Sequence, residues 1–270
     1  MRLAPETEAA GYRLTALDAT ASTNDDALAA ARRGDPGRVW ITARRQTSGR
    51  GRQGRSWASP EGNLYASLLL IDPCEPPLAP QLGFVAGVAL HEAVSEATGV
   101  HTPRLSLKWP NDLLLDGAKA AGLLLEAHRL TELHAFAVVI GFGVNIASAP
   151  DGTPYPAAAL GTVAPGLRAA DLMPALARSF AERLEAWRSA GGIERFAATG
   201  REWMRRAAGL GEPVTVLLPS GERSGRFAGL DPVGRLRLQT PWGVELIDAG
   251  DLYFPQWRPG AAAHPSPPVR

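Results

Sequence analysis

Between residues 105 and 146 the chain is committed to sheet, and that commitment sets the class of fold open to it. Residues 105–109 read as a strand that Pro110 ends, because proline cannot donate to a ladder. Residues 113–115 read as the next strand. The Asp116-Gly117 pair after them is a hairpin signal, since both residue types tolerate the positive φ of a tight turn. Two longer β-rich runs follow, 118–127 and 133–146. Upstream, residues 12–17, 39–43 and 63–71 read as further strands. Ser22, with Asp25 three residues later, is placed to N-cap a helix that ends at Gly34. Residues 81–98 carry apolar side chains at helical spacing up to a Gly99 stop.

Residues 148–167 are rich in Pro, Gly and Ala and read as a connection to helices near 169–190 and 193–208. After Gly211 the texture changes. Short strands at 214–218, 223–230, 235–239 and 244–247 are separated by Pro-Ser-Gly, Asp-Pro-Val-Gly and Pro-Trp-Gly, which are turn formers, and suggest a small β-barrel. The expected division is a larger domain over 1–210, a barrel over 211–258 and a flexible Pro/Ala-rich tail over 259–270. A chain of 270 residues with 45% hydrophobic and 20% charged residues has enough apolar material for a large core plus a small one.

Lysine and arginine number 28 against 27 acidic residues, so affinity for an anion has to come from local clustering of charge. Cys74 is the only cysteine, which excludes an intrachain disulfide and a cysteine-based zinc site and suits a reducing cytoplasm. The longest apolar run, around 135–144, is far short of the roughly 20 residues that a bilayer-spanning helix needs, so no membrane partner is expected. The five histidines show no metal-ligand spacing.

The densest cluster is Gly49-Arg50-Gly51-Arg52-Gln53-Gly54-Arg55, with three arginines in seven residues. Glycines let a backbone approach an anion closely, and guanidinium forks pair with phosphate oxygens. The same composition also suits a solvated basic loop. Lys108-Trp109-Pro110-Asn111-Asp112 gathers a lysine, an amide and a carboxylate at a strand end; it serves either a site on a rigid scaffold or a plain turn, with Trp109 in the core. Lys119 lies in an apolar, small-residue strand and needs a partner, unless it guards a sheet edge. Gly122 indicates either a close approach or a bulge, and Gly141-Phe142-Gly143 a bulge or bend before Asn145. Ser22-Thr23-Asn24 is most simply a helix cap.

In order along the chain, Ser22-Thr23-Asn24, Gln46 to Arg55 with Trp57, Lys108 to Asp112, Lys119 to Gly122 and Gly141 to Asn145 resemble the biotin protein ligase family, over about residues 20–147. The arginine loop followed by Lys-Trp-Pro-Asn-Asp carries the resemblance most specifically, and the C-terminal barrel adds an architectural likeness. The resemblance implies an α+β fold: a mixed β-sheet with helices, similar to the catalytic fold of class II aminoacyl-tRNA synthetases, followed by an SH3-like β-barrel. It also implies an ATP-dependent ligase that forms biotinyl-5'-AMP and passes biotin to a lysine of a biotin carboxyl carrier protein. By family motif, Lys119 and Arg52 are the catalytic residues, and Ser22, Thr23, Asn24, Gln46, Gly49, Arg50, Arg52, Lys119 and Gly122 hold biotin. Arg52, Arg55, Trp57, Lys108, Asn111, Asp112 and Asn145 hold the nucleotide, with magnesium accompanying ATP and Asp112 as its candidate ligand.

Two departures from relatives stand out. About twenty residues precede Ser22, where many relatives carry a winged-helix domain, so specific DNA binding is not expected. Gln53 stands where some relatives have another arginine. The rival reading, a lipoate or octanoate ligase, gives no reason for the polar set Ser22, Thr23 and Gln46, whereas a ureido ring does. The overall neutrality counts against a nucleic-acid module built on the arginine loop. Monomer and homodimer both stay open. The loop 47–59 is expected to wander without ligand, because its arginines repel one another and it has little apolar surface before Trp57.

Overall fold

The structure is a computed structural model that describes residues 1–191 and 194–257; the expected flexible tail, 259–270, lies outside the described residues. After a short helix α1 (Pro5–Ala9), the chain builds β1 (Arg13–Thr20), α2 (Thr23–Arg32), β2 (Val39–Gln46), β3 (Leu64–Ile71) and α3 (Gln81–Thr98). β4 (Leu105–Lys108), β5 (Asp112–Leu115), β6 (Ala118–Leu130) and β7 (Ala135–Val144) follow. These strands form a seven-stranded sheet in the order β1-β2-β3-β7-β6-β5-β4, parallel only between β1 and β2. The sheet is therefore mixed. Asp116 and Gly117 sit at φ 48° and 78°, the positive values that the hairpin signal requires, and Gly99 closes α3 in the left-handed region.

Side chains alternate across the sheet, and each face has its own cover. On one face α3 and α4 (Ala169–Ser189) press on Trp40, Ile140, Phe142 and Val144. The Trp40 ring meets Phe142 and Phe180 at 5.3 and 6.0 Å between centroids. On the other face α2 brings small side chains, Ala27, Ala30 and Ala31, down onto Val39, Ile41, Leu69 and Val139. α2 starts at Thr23, so beyond its N-terminus this face continues uncovered. There the register sets Ser67 of β3 opposite Gly141, and Gly143 opposite both Tyr65 and Gly122. A row of small residues next to a helix end is the floor on which the site stands.

Ser22 occupies the N-cap position of α2 with extended backbone, but its hydroxyl makes no capping bond, and Asp25 pairs with Arg50. The capping box expected there is absent. The bulge or bend expected at Gly141-Phe142-Gly143 is absent too, since the ladder runs through both glycines without a register shift. Space explains them: a Cβ on Gly141 would collide with Asn24 Oδ1, and one on Gly143 would lie 2.5 Å from the Trp57 ring.

α5 (Glu194–Arg205) leads into β8 (Pro213–Leu218), β9 (Gly221–Leu230), β10 (Leu236–Thr240), β11 (Gly243–Ile247) and β12 (Asp251–Tyr253). They form a separate antiparallel sheet in the order β11-β10-β9-β8-β12. Neither α1 nor β12 is evident in the sequence pattern; β12 has three residues, too few for alternation to register. Among the described residues no helix is long and apolar enough to cross a membrane.

α3 also sets the start of β4, the strand that ends in Lys108. His91 Nε2 lies 3.1 Å from Leu105 O and 3.2 Å from Thr102 Oγ1, while its buried Nδ1 has no partner among the described residues. Burial pushes the ring's pKa down to about 4, because a second N–H would be left without an acceptor. Below the ordinary value of about 6.5 the unfolded ring takes up a proton that the folded ring refuses, so stability falls as pH drops from about 6.5 through about 4. Urea denaturation at about pH 7 and about pH 5 should show the wild type losing about 1 to 2 kcal/mol from this source, and His91→Gln losing correspondingly less between the two. An identical loss in both proteins would clear His91 of the effect.

Candidate active site

A cleft of about 890 Å³ opens on the uncovered face beside the start of α2. Its polar end is built from the N-terminus of α2 and the end of β2. Gln46 Oε1 accepts from the Thr23 backbone N–H at 2.8 Å and lies 3.1 Å from the Thr23 hydroxyl, while Gln46 Nε2 donates to Ser59 Oγ at 3.0 Å. Asn24 lines the cleft, but its Nδ2 donates to Glu126 at 2.7 Å and its Oδ1 accepts from Ser67 at 2.6 Å, so both ends of the amide are engaged by protein. Ser22 lines the same wall.

The arginine loop roofs the cleft and is folded. Arg50 bridges Ser56, the Gly51 N–H donates to Arg55 O at 2.7 Å, and the Trp57 N–H donates to Gly49 O at 2.8 Å. Gly49 is required by space, since a Cβ there would lie 2.5 Å from Ser59 Oγ and 2.6 Å from Trp57 O. Each arginine has a carboxylate. Arg50 pairs with Asp25 at 2.5 Å and Glu126 at 3.4 Å, Arg52 with Asp251 at 3.6 Å, and Arg55 also with Asp251. Acids distant in sequence offset the mutual repulsion of the three arginines, a set of partners that the expectation of a wandering loop did not include. Gln53 holds a positive φ of 56° and accepts from Arg55 at 3.0 Å.

At the inner end Asp112 lies between two ammonium groups, Lys108 at 2.8 Å and Lys119 at 2.7 Å. All three side chains are largely buried. Burial alone would raise the Asp112 carboxyl; the ammoniums of Lys108 and Lys119 outweigh it and hold it at about 2. Burial pushes Lys108 below the ordinary lysine value in spite of Asp112. For Lys119 the attraction of Asp112, helped by Tyr155, outweighs burial and raises it. Lys119 is thus no edge guard: it is a buried, firmly charged ammonium. It reaches Asp112 through a register shift opposite Leu113/Leu114, which makes Ala120 an extra residue and turns Lys119 to the face of Asp112 and Gly122. The bulge expected near Gly122 falls at Ala120 instead, and Gly122 makes room for Trp57 and Lys119, each within 3.3 Å of where a Cβ would be.

Aromatic rings flank Lys119 Nζ, Trp57 at 5.4 Å and Tyr155 at 5.1 Å. On the Tyr155 side a second cavity of about 570 Å³ is lined by Ser56, Trp57, Lys119, Asn145, Thr153 and Tyr155. Lys119 therefore stands in the wall between two compartments. Asn145 belongs to the second one, Gly49 stands behind the first, and the other candidate residues all line the first. Trp109 is in the core, 1% exposed. With two ammoniums on its oxygens Asp112 does not suit a divalent cation, and no group of three or more acidic, histidine or cysteine side chains among the described residues could hold one.

Four contributors escape sequence reading. Asp251 comes from β12 of the small sheet, beside Gly250, whose carbonyl accepts from Arg52 at 3.2 Å; Leu252 O accepts from Lys108 at 3.2 Å. Tyr155 lies in the Pro/Gly-rich connection, whose backbone pairs with Lys119 through Pro156 O at 2.8 Å and the Ala158 N–H at 3.0 Å. Ser67 interrupts the apolar run of β3 and Glu126 ends the apolar run Leu123-Leu124-Leu125 of β6, and their parity with Gly141 and Gly122 is the one signal that marks them.

Residues 20–145 match the Biotin/lipoate A/B protein ligase family, and residues 209–254 match the Biotin protein ligase C terminal domain. The chain is 38% identical to the biotin--[acetyl-CoA-carboxylase] ligase of Paracoccus denitrificans, across 88% of this chain and 99% of that protein. It is 30% identical to a bifunctional ligase/repressor of Bacillus subtilis, across 93% of this chain and 77% of the relative. The fold matches the biotin protein ligase from Aquifex aeolicus in complex with biotin and ATP with a TM-score of 0.75 at 27% identity, covering 89% of this chain and 97% of the other. A mixed sheet with a glycine floor, an arginine-roofed cleft, a small C-terminal sheet and this depth of likeness lead to one assignment: the chain belongs to the biotin protein ligase family.

Proposed function

We propose that the protein activates biotin with ATP as biotinyl-5'-AMP and transfers the biotin to a lysine of a biotin carboxyl carrier protein, in the cytoplasm. The observation that carries this reading is the place of Lys119, a charged ammonium in the wall between two compartments. A carboxylate in one and an α-phosphate in the other repel each other in water, and a fixed cation between them removes that barrier. A biotin carboxylate oxygen attacks the α-phosphorus, the bond to the bridging oxygen breaks, and pyrophosphate leaves with its magnesium, which enters as part of the ATP substrate. The neutral amine of the carrier lysine then attacks the activated carbonyl, AMP departs, and the amine proton passes to solvent. No covalent bond to the enzyme forms, so positioning and charge neutralisation supply the acceleration.

Ser22, Thr23 and Gln46 bind the ureido ring, Asn24 holds that wall in place, and Gly122, Gly141 and Gly143 let Asn24, Trp57 and Lys119 close onto the floor around the rest of the molecule. Arg50 and Arg52 close over biotin, with Gly49 permitting the loop's return. Arg52 and Arg55 take the phosphates in exchange for Asp251, Trp57 covers the junction, Lys108, Asn111 and Asp112 support the phosphate side, and Asn145 the adenosine side.

Two outcomes follow. Lys119→Ala should keep its fold but lose biotin-dependent exchange of pyrophosphate into ATP by about 10²- to 10³-fold, the loss typical of one preorganised charge donor. Near wild-type exchange in the folded variant would remove Lys119 from the chemistry. Asp251→Ala should remove the ion pairs of Arg52 and Arg55, so without ligand trypsin should cut the loop faster than in the wild type, and biotin with ATP should restore protection. Equal cutting of the two empty proteins would show that Asp251 does not hold the loop.

A further inference from the structure

A proton count at the polar end of the cleft shows which atoms face a ligand as donors and which as acceptors. The Gln46 amide is oriented by a backbone donor, the Thr23 N–H at 2.8 Å, so its oxygen points to Thr23 and its nitrogen away. One of its two amide protons goes to Ser59, which leaves one N–H for the cleft. The Asn24 amide is oriented by the Glu126 carboxylate, so its oxygen points to Ser67. Ser67, fully buried on β3, lies 2.7 Å from the Thr23 hydroxyl and 2.6 Å from Asn24 Oδ1, with a single proton for both. Asn24 Oδ1 can only accept, so the Ser67 proton goes to it across the 2.6 Å contact, and the 2.7 Å contact between the two hydroxyls is then filled by the Thr23 proton. The Thr23 hydroxyl thus uses its only proton on Ser67 and turns only a lone pair to the cleft.

We infer that Ser67 is a positioning residue that sets substrate specificity: acting through Thr23, it fixes an acceptor beside the Gln46 donor, the complement of an N–H next to a C=O on the edge of a cyclic urea. The inference rests on the biotin reading above and adds to it a residue that never touches the ligand. Without the Ser67 hydroxyl, Thr23 is free to rotate and offer its proton instead, so the wall accepts either polarity. A site built around a hydrogen bond rejects an analogue of the wrong polarity far more strongly than an apolar pocket does, because a buried group is left unpaired.

The test compares kcat/KM in pyrophosphate exchange for biotin and for the two cyclic carbamates in which one or the other ureido N–H is replaced by oxygen. In the wild type one carbamate should be used at least about 100-fold less well than biotin. In Ser67→Ala that penalty should shrink by about tenfold or more, and in the volume-conserving Ser67→Cys it should shrink as well. In a Thr23→Val background, Ser67→Ala should change the ratio no further, an epistasis that a merely structural role would not produce. An unchanged ratio in both folded Ser67 variants, with biotin still turned over, would overturn the role of Ser67 and leave the biotin reading standing. Failure of the wild type to turn over biotin at all would overturn both.

Discussion

One buried carboxylate, Asp112, shared by two buried ammoniums, governs the geometry of the site. Removing three charges from water is expensive, and the cost is met only because each attraction acts at under 3 Å in a medium far less polarisable than water. The arrangement ties three consecutive strands together. Lys108 faces Asp112 across the β4/β5 ladder, and Lys119 comes from β6 through the extra residue at Ala120. Without that bulge, alternation would turn Lys119 to the opposite face from Asp112 and Gly122. A local irregularity thus converts a strand lysine into the cation between two compartments.

The small C-terminal sheet is part of the same electrostatic assembly. Lys108 donates to Leu252 O and has the Trp257 ring 5.7 Å away, while Asp251 meets Arg52 and Arg55 from the roof of the cleft. The loop that roofs the cleft is therefore held by an acid from the other sheet. An anion entering the cleft competes with Asp251 for the same guanidinium groups, so ligand binding and the contact between the two sheets are linked through charge.

Much of the frame follows from local rules. The αL stop at Gly99 and the positive φ values at Asp116 and Gly117 come from residue types whose sterics permit them, and they are visible without tertiary knowledge. The candidate residues could be marked in the same way, since lysines and arginines in small-residue surroundings need partners. What could not be read is which partner. Asp25, Glu126 and Asp251 lie 25, 76 and 196 residues from the arginines they bind, and no periodicity encodes such pairings. Ser22 takes the cap position but lines the cleft instead of bonding the helix, because cap and ligand wall favour the same residue types at a helix start. Gly141 and Gly143 mislead as a bulge because a glycine demanded by a neighbour's bulk looks, in sequence, like one demanded by the backbone.

In the proposed first half-reaction Asp112 keeps Lys119 charged and in place. Asp112→Asn tests this most directly, because it preserves shape and hydrogen-bonding capacity while removing the charge. Its exchange of pyrophosphate into ATP should be followed from about pH 6 to about pH 9, a range in which unpaired buried lysines lose their protons. A folded Asp112→Asn protein should exchange more slowly than the wild type at every pH, and fall away further as pH rises because Lys119 deprotonates. A wild-type rate with a wild-type pH profile would show that Lys119 does not depend on Asp112 for its charge.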